Sequence, residues 1–220
     1  MKKVIVFGPS ILGEVIQHYL TVDSDYEVIA FTANQKFIQE EEFNGLPIIP
    51  FENIEKDYPP SDYSMFIAIG YQGMNKPRER IYFEAKNKGY ELITYVNSKV
   101  TEFGKIEIGD NCFIFENNVI QPFVKIGNNV IMWSGNHIGH GVKIQDNCYV
   151  SSHVVIAGFS EIGKNSFLGI NSTIRDFIKI GKESIIGAGS IILHDTKDKE
   201  VYSPGSTAKL SISSDKIKRI

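Results

Sequence analysis

The chain has 220 residues, 42% of them hydrophobic and 22% charged, enough to bury a core in one large domain or two small ones. Its 23 Lys and Arg against 26 Asp and Glu leave a formal net charge of −3, so no positive field draws it to nucleic acid or anionic lipid. No apolar run approaches the ~20 residues that span a bilayer, and two cysteines, Cys112 and Cys148, are too few for a disulfide framework, which points to a cytoplasmic setting.

Lys3 to Phe7 reads as a buried strand, and Gly8-Pro9-Ser10-Ile11-Leu12-Gly13 turns it into an amphipathic helix with Ile11, Leu12, Val15, Ile16, Tyr19 and Leu20 on one side. The turn and the helical spacing distinguish this start from a signal peptide. Strands return at Tyr26 to Phe31 and at Met65 to Ile69. Lys76-Pro77 opens a second helix through Ile81, Tyr82 and Ala85, stopped by Gly89, and Tyr90 to Tyr95 supplies another strand. The alternation implies a small parallel sheet of the Rossmann type over residues 1–96.

In such sheets the ligand sits at the carboxyl ends of the strands, where glycine backbone and a helix N-terminus meet phosphate. Gly8-x-Ser10-x-x-Gly13 is a form of that turn with Ser in the middle. Thr32-Ala33-Asn34 ends the second strand without the acidic residue of the dinucleotide fingerprint, so a nucleotide-linked sugar is expected here in preference to NAD. The alternative is that Gly8 and Gly13 serve close packing of strand and helix. The loop Gly70-Tyr71-Gln72-Gly73-Met74-Asn75 should open at the same rim, and Asn34, Gly70, Tyr71, Asn75 and Arg78 are the expected contacts to sugar or phosphate.

From Ile108 to Ile192 an apolar residue recurs at every sixth position, fifteen times without a slip. A small or slender residue often stands two places before it, as at Cys112, Val130, Cys148 and Ser166. Gly often follows it, as at Gly109, Gly127, Gly139 and Gly163. At 3.6 residues per turn an α-helix would carry such a series around its cylinder. A solenoid accommodates it: each hexad makes one short strand and one corner, and three hexads close a triangular coil with Gly or Asn at its corners. The expected fold is a left-handed parallel β-helix of five coils over residues 97–193, followed by a C-terminal segment, 194–220. With a core of its own, the repeat is expected to fold without residues 1–96. Cys112 and Cys148 would stack two coils, about 9–10 Å, apart, beyond disulfide reach.

The densest set of functional groups is Asn136-His137-Ile138-Gly139-His140-Gly141. His137 should point outward from a flat face, whereas His140 lies beyond the inward Ile138, near a corner. One coil of eighteen residues further on stands Gly158. An imidazole beside a glycine N–H is the pairing that acyl transfer from a thioester needs: a base for the acceptor's proton and a donor for the developing oxyanion. The alternative is that His140 only hydrogen-bonds at a corner. A metal site through His137, His140 and His153 is not expected. Hexapeptide β-helices include carbonic anhydrases with an H-x4-H ligand pair, and no two of His18, His137, His140, His153 and His194 have that spacing.

A Rossmann-like domain opening on a Gly-rich turn, then Ala68-Ile69-Gly70, a hexapeptide β-helix with His140, and a closing Ile186-Gly187-Ala188-Gly189-Ser190 resembles the bacterial sugar acetyltransferases of the PglD or NeuD type. The resemblance implies transfer of acetyl from acetyl-CoA to the amine of a nucleotide-linked 4-amino or related deoxysugar, for surface glycan biosynthesis. It also implies a homotrimer with active sites between subunits, where outward aromatics such as Trp133 would help form the contact. It makes His140 the base and gives the thioester oxygen to the Gly158 N–H. The pantetheine arm would run past Ile170 and Ala188, with Lys209, in Gly205-Ser206-Thr207-Ala208-Lys209, near the adenine end. Where the family usually has an acidic residue after the histidine, this chain has Gly141, and Thr32-Ala33-Asn34 lacks the usual acidic pair. A sialic-acid-type O-acetyltransferase and a non-catalytic hexapeptide scaffold are the competing readings.

Overall fold

The computed structural model describes residues 2–104, 106–209 and 211–216. The front of the chain forms the expected α/β unit. Strands β1 (Lys2–Phe7), β2 (Tyr26–Ala33), β3 (Glu42–Phe43), β4 (Leu46–Pro50) and β5 (Ser64–Ile67) make one sheet in the order β3-β4-β2-β1-β5. β1, β2, β4 and β5 run parallel, and β3 returns on β4 as a hairpin. That hairpin was not anticipated, although Asn44-Gly45 at its tip, both with positive φ, is its usual sequence signal.

Helix α1 (Ile11–Val22) follows β1, and α2 (Lys76–Asn87) follows β5. Ser10 caps α1, accepting the Gly13 N–H at 3.3 Å. Its inner face is Gly13, Ile16 and Leu20. Ile11, expected inside, is 82% exposed. Nor is Tyr90 to Tyr95 a strand of this sheet. Leu92 makes one bridge to Met65, and Tyr95–Val96 already pairs with Phe113–Ile114 of the solenoid, so the unit boundary falls just before Tyr95.

From there every hexad up to Thr173–Ile174 contributes a two-residue strand that pairs in parallel with the strand eighteen residues on, as Val119 with His137 and His137 with Val155. The inward residues, such as Ile138, Ile156 and Leu168, are fully buried in one aliphatic core. The left-handed backbone recurs at the third residue after each inward one from Ile108 to Ile186. Asn111, Asn117, Asn129, Asn147, Asn165 and Asn171 hold it with φ between 51 and 62°, and asparagine tolerates that conformation better than most residues. The glycines that directly follow the inward residues do not take this conformation. They are small because the next coil passes over them: a Cβ on Gly163 would lie 2.5 Å from the Lys182 nitrogen. The solenoid also runs past residue 193, since Val201–Tyr202 pairs with Ile185–Ile186. That pairing spans sixteen residues instead of eighteen, so the strict period does not reveal it.

The triangular prism has three unlike faces. One, carrying Phe113, Ile131, Tyr149 and Phe167, is covered by the front domain, with Phe66, Phe31 and Ile16 in the same cluster. The second presents Val119, His137, Val155, Thr173 and Ile191, with no fixed charge and nothing over it among the described residues. The third presents Glu107, Lys125, Lys143, Glu161 and Lys179 to solvent. The shared cluster bears on the expectation of a separable repeat: Phe113, Phe115 and Ile131 pack in the same cluster as Phe66, Phe31 and Ile16 of the front domain, and a chain without residues 1–96 would lose that cover.

Cys112 and Cys148 are free and buried, each with its thiol against a carbonyl, Gly127 O at 3.0 Å and Gly163 O at 3.2 Å. Burial pushes both thiols up to about 12. Among the described residues no helix is long and apolar enough to cross a membrane.

Candidate active site

His140 stands on the prism edge between the bare face and the charged face, just past the strand His137–Ile138. The coil arithmetic holds: its ring lies over Gly158, where a Cβ would come within 2.7 Å of Cε1 and 2.9 Å of Nε2. The ring of Phe159 meets the imidazole edge to face, centroids 4.8 Å apart. On the other side Gln121 Oε1 accepts the His140 backbone N–H at 2.9 Å and lies 3.2 Å from Nδ1.

The Gly158 amide differs from several of its equivalents. At the same hexad position, the N–H groups of Asp110, Asn128, Lys164 and Lys182 each donate to a side-chain oxygen of a neighbouring coil, those of Asn128, Asp146, Gln145 and Asp198. Among the described residues no group accepts from the Gly158 N–H. Gly139 keeps it open, since a Cβ there would sit 2.6 Å from the Gly158 nitrogen. A base and an uncommitted donor thus share one edge, an arrangement suited to deprotonating a nucleophile and stabilising an oxyanion. His137 lies back on the bare face and His153 on another edge, over Gly135. Among the described residues no three His, Cys, Asp or Glu side chains gather as a metal-binding group.

A second feature lies where the front domain meets the edge between the covered and bare faces. A cavity of about 450 Å³ is lined by Tyr71, Trp133, Tyr149, Ser151, Phe167, Gly169, Ile170 and Ala188. It adjoins another of about 630 Å³, with which it shares Tyr71, Trp133 and Tyr149, and which reaches Gly8, Ser10, Gly70 and Gln72. The structure therefore brings Ile170 and Ala188 into one cleft with Gly8, Ser10, Gly70 and Tyr71. Trp133, expected to help form a subunit contact, stacks on Phe115 at 4.5 Å and walls this cleft. Asn34 lines a third cavity, of about 660 Å³, with Phe37, Lys76 and Arg80, which touches the second through Ile69.

Three expected ligand residues are committed elsewhere. Gly13 is buried, with its N–H given to Ser10 and the Gly8 carbonyl so close that a Cβ would meet it at 2.2 Å, so it serves strand-to-helix packing. Asn75 and Arg78 are wholly buried between the domains. Arg78 Nη2 donates to the carbonyls of Asn147, Cys148 and Asn129, and Nη1 to Asn75 Oδ1 and to Gly70 and Ile69 O, at 2.9 to 3.3 Å. Asn75 Nδ2 in turn donates to Asn165 O at 3.1 Å. Desolvation lowers the guanidinium to about 10, still charged at neutral pH. Neither residue is open to a ligand. Lys209 is exposed, beyond the last strand.

The histidine edge and the cleft are different edges of the prism, separated by the full width of the bare face. Within one chain His140 and Gly158 do not meet Ile170 and Ala188. Sequence reasoning missed Gln121 and Phe159, although Gln121 lies one coil and one residue before His140, where the same arithmetic that found Gly158 would have reached it.

Residues 3–85 match the PglD N-terminal domain, and residues 105–138 and 159–194 match the bacterial transferase hexapeptide repeats. No curated protein matches the chain by sequence. Among solved structures, PerB from Caulobacter crescentus, in complex with CoA and GDP-perosamine, superposes with a TM-score of 0.81 at 20% identity, covering 91% of this chain and 93% of that one. The acetyltransferase domain of PglB from Neisseria gonorrhoeae, in complex with acetyl coenzyme A, gives 0.80 at 20% identity, covering 91% and 95%. WeeI from Acinetobacter baumannii gives 0.73 at 18%, covering 91% and 94%. At these identities the likeness establishes the fold: an α/β domain followed by a left-handed β-helix.

Proposed function

We propose that the chain, which matches the PglD N-terminal domain and the bacterial transferase hexapeptide repeats, is a PglD-type sugar acetyltransferase that moves acetyl from acetyl-CoA to the amine of a nucleotide-linked amino-deoxysugar, in the cytoplasm, for surface glycan biosynthesis. The observation that carries this reading is the His140 imidazole over Gly158, whose N–H has no acceptor among the described residues. The amine attacks the thioester carbonyl while His140 takes its proton. The Gly158 N–H donates to the oxyanion of the tetrahedral intermediate, which collapses to the amide with CoA thiolate leaving. The imidazolium returns the proton to the thiolate, so base and acid are the same residue. The bound CoA and GDP-perosamine of PerB and the acetyl coenzyme A of PglB support both the donor and the acceptor class.

The working enzyme on this reading is a homotrimer. The uncharged bare face is the surface through which prisms associate, and association brings the histidine edge of one chain to the Ile170 and Ala188 cleft of the next. The pantetheine arm lies in that cleft, the nucleotide sugar along Gly8, Ser10, Gly70 and Tyr71, and Asn34 beside the adjoining cavity.

The test is thiol release from acetyl-CoA in the presence of a panel of amino-sugar nucleotides, with free sialic acid as the hydroxyl control. His140→Ala should lower kcat by ~10²–10⁴ with the fold retained. Mixing inactive His140→Ala chains with inactive Ala188→Trp chains should restore activity, because mixed trimers contain edges that pair an intact His140 with an intact Ala188. Failure of any amino-sugar nucleotide to release thiol would count against the acceptor, and failure of mixed chains to recover would count against the shared site.

A further inference from the structure

Gln121 follows the strand Val119–Ile120, one coil before His140, and its own backbone is fixed in the ladder by an N–H bond to Ile138 O at 3.0 Å. Its Oε1 accepts the His140 backbone N–H at 2.9 Å. A backbone N–H can only donate, so this bond decides which way the amide points: oxygen toward His140, NH₂ away. The same oxygen stands 3.2 Å from Nδ1. An unprotonated Nδ1 would set two lone pairs against each other, so in the neutral ring Nδ1 carries the hydrogen and Nε2 is bare. Nε2 is a ring atom lying over Gly158, 2.9 Å from where a Cβ would be.

We propose that Gln121 is the positioning residue of His140: its amide oxygen holds the imidazole in the tautomer whose free nitrogen faces the reacting group. The inference rests on the reading of His140 as the base. Local geometry explains why the orienting group comes from the coil below and not from the next residue. Gly141 has φ +67°, and a Cβ on it would lie 2.6 Å from Phe159 Cδ1, so no side chain fits there without moving that ring. Phe159 is itself held at φ 57°, a conformation bulky residues seldom adopt, and its ring closes one side of the imidazole. Gln121 holds the other.

The experiment is long-range ¹H–¹⁵N NMR of the full-length protein labelled with ¹⁵N-histidine, with the His140 signals identified by their absence in His140→Asn. The wild-type protein should show the Nδ1–H form, the tautomer histidine in water populates less. Gln121→Met should shift it toward Nε2–H and lower kcat by roughly 10- to 100-fold, the range typical of lost orienting partners, with KM for acetyl-CoA little changed. Gln121→Glu, which keeps an acceptor in place, should restore both the tautomer and most of kcat. A wild-type Nε2–H signal would overturn the proposal. So would a Gln121→Met protein that only melts lower while tautomer and kcat stay as in wild type. Full activity in His140→Ala would overturn the base reading itself, and the positioning role with it, and is told apart by the choice of residue.

Discussion

At the scale of single residues, glycine matters here through the atoms it lacks. Gly158 underlies the imidazole and Gly139 underlies the Gly158 amide, each with less than 3.0 Å to spare for a Cβ. Gly158→Ala should therefore push the His140 ring off its seat while leaving the aliphatic stack intact. The expected result is a loss of about 10²–10³ in kcat, the cost of a misplaced oxyanion donor and base, with an unchanged circular dichroism spectrum and a melting temperature within a few degrees of wild type. Arg78 shows the opposite situation, a residue whose chemistry suggests a ligand and whose location forbids one. Its guanidinium bridges carbonyls of both domains. Arg78→Ala should destabilise by roughly 3 kcal/mol or more in denaturant unfolding, since it leaves buried carbonyls without donors and opens a void. Arg78→Lys should recover little, because a single ammonium cannot serve acceptors spread across the planar fork.

At the scale of elements, the C-terminus of α1 is tied to the first coil through Asp23. Its carboxylate accepts the hydroxyl of Ser98, the hydroxyl of Tyr95 at 2.6 Å, the Ser98 N–H at 2.9 Å and the Asn97 amide at 2.9 Å. These bonds, the Ser98 hydroxyl first among them, hold the Asp23 carboxyl below its ordinary value. A depressed folded value means that the charged form is the one favoured by docking. The stabilisation is thus complete above the unfolded pKa of ~3.9 and is lost as pH falls through the lower folded value. The melting temperature of wild type should exceed that of Asp23→Asn near neutral pH, and the gap should close in acid below about pH 4. A gap that stays constant with pH would show that the carboxylate charge does not matter to the docking.

For the whole molecule, the three faces of the prism differ in what covers them. The front domain covers one, water suits the charged one, and the bare face exposes Val155 and Ile191, the latter at 68%. Light scattering should give a mass near three times 24.7 kDa. A Val155→Glu, Ile191→Glu double variant should run as a folded monomer and lose turnover, because burying two unpaired carboxylates in an apolar contact is strongly unfavourable. A wild-type monomer at concentrations where it is active would overturn the shared site.

How much of this was legible beforehand follows from the range of each signal. The hexapeptide period specified the coil because every sixth side chain must enter the same core, and the eighteen-residue repeat that follows from it already places His140 against Gly158. The amphipathic grammar of residues 3–87 likewise determined strands β1, β2 and β5 and both helices, since those patterns are local. Where the period slipped, at Val201–Tyr202, and where a strand changed allegiance, at Tyr95–Val96, the pattern could not report the partner. Which face the front domain covers, and hence that Asn75 and Arg78 are buried and the cleft lies on a different edge from His140, depended on two surfaces meeting across the molecule. Sequence determined the coil through periodic burial, whereas only the tertiary structure decided which polar side chains were left free, because that depends on how the two domains fit together.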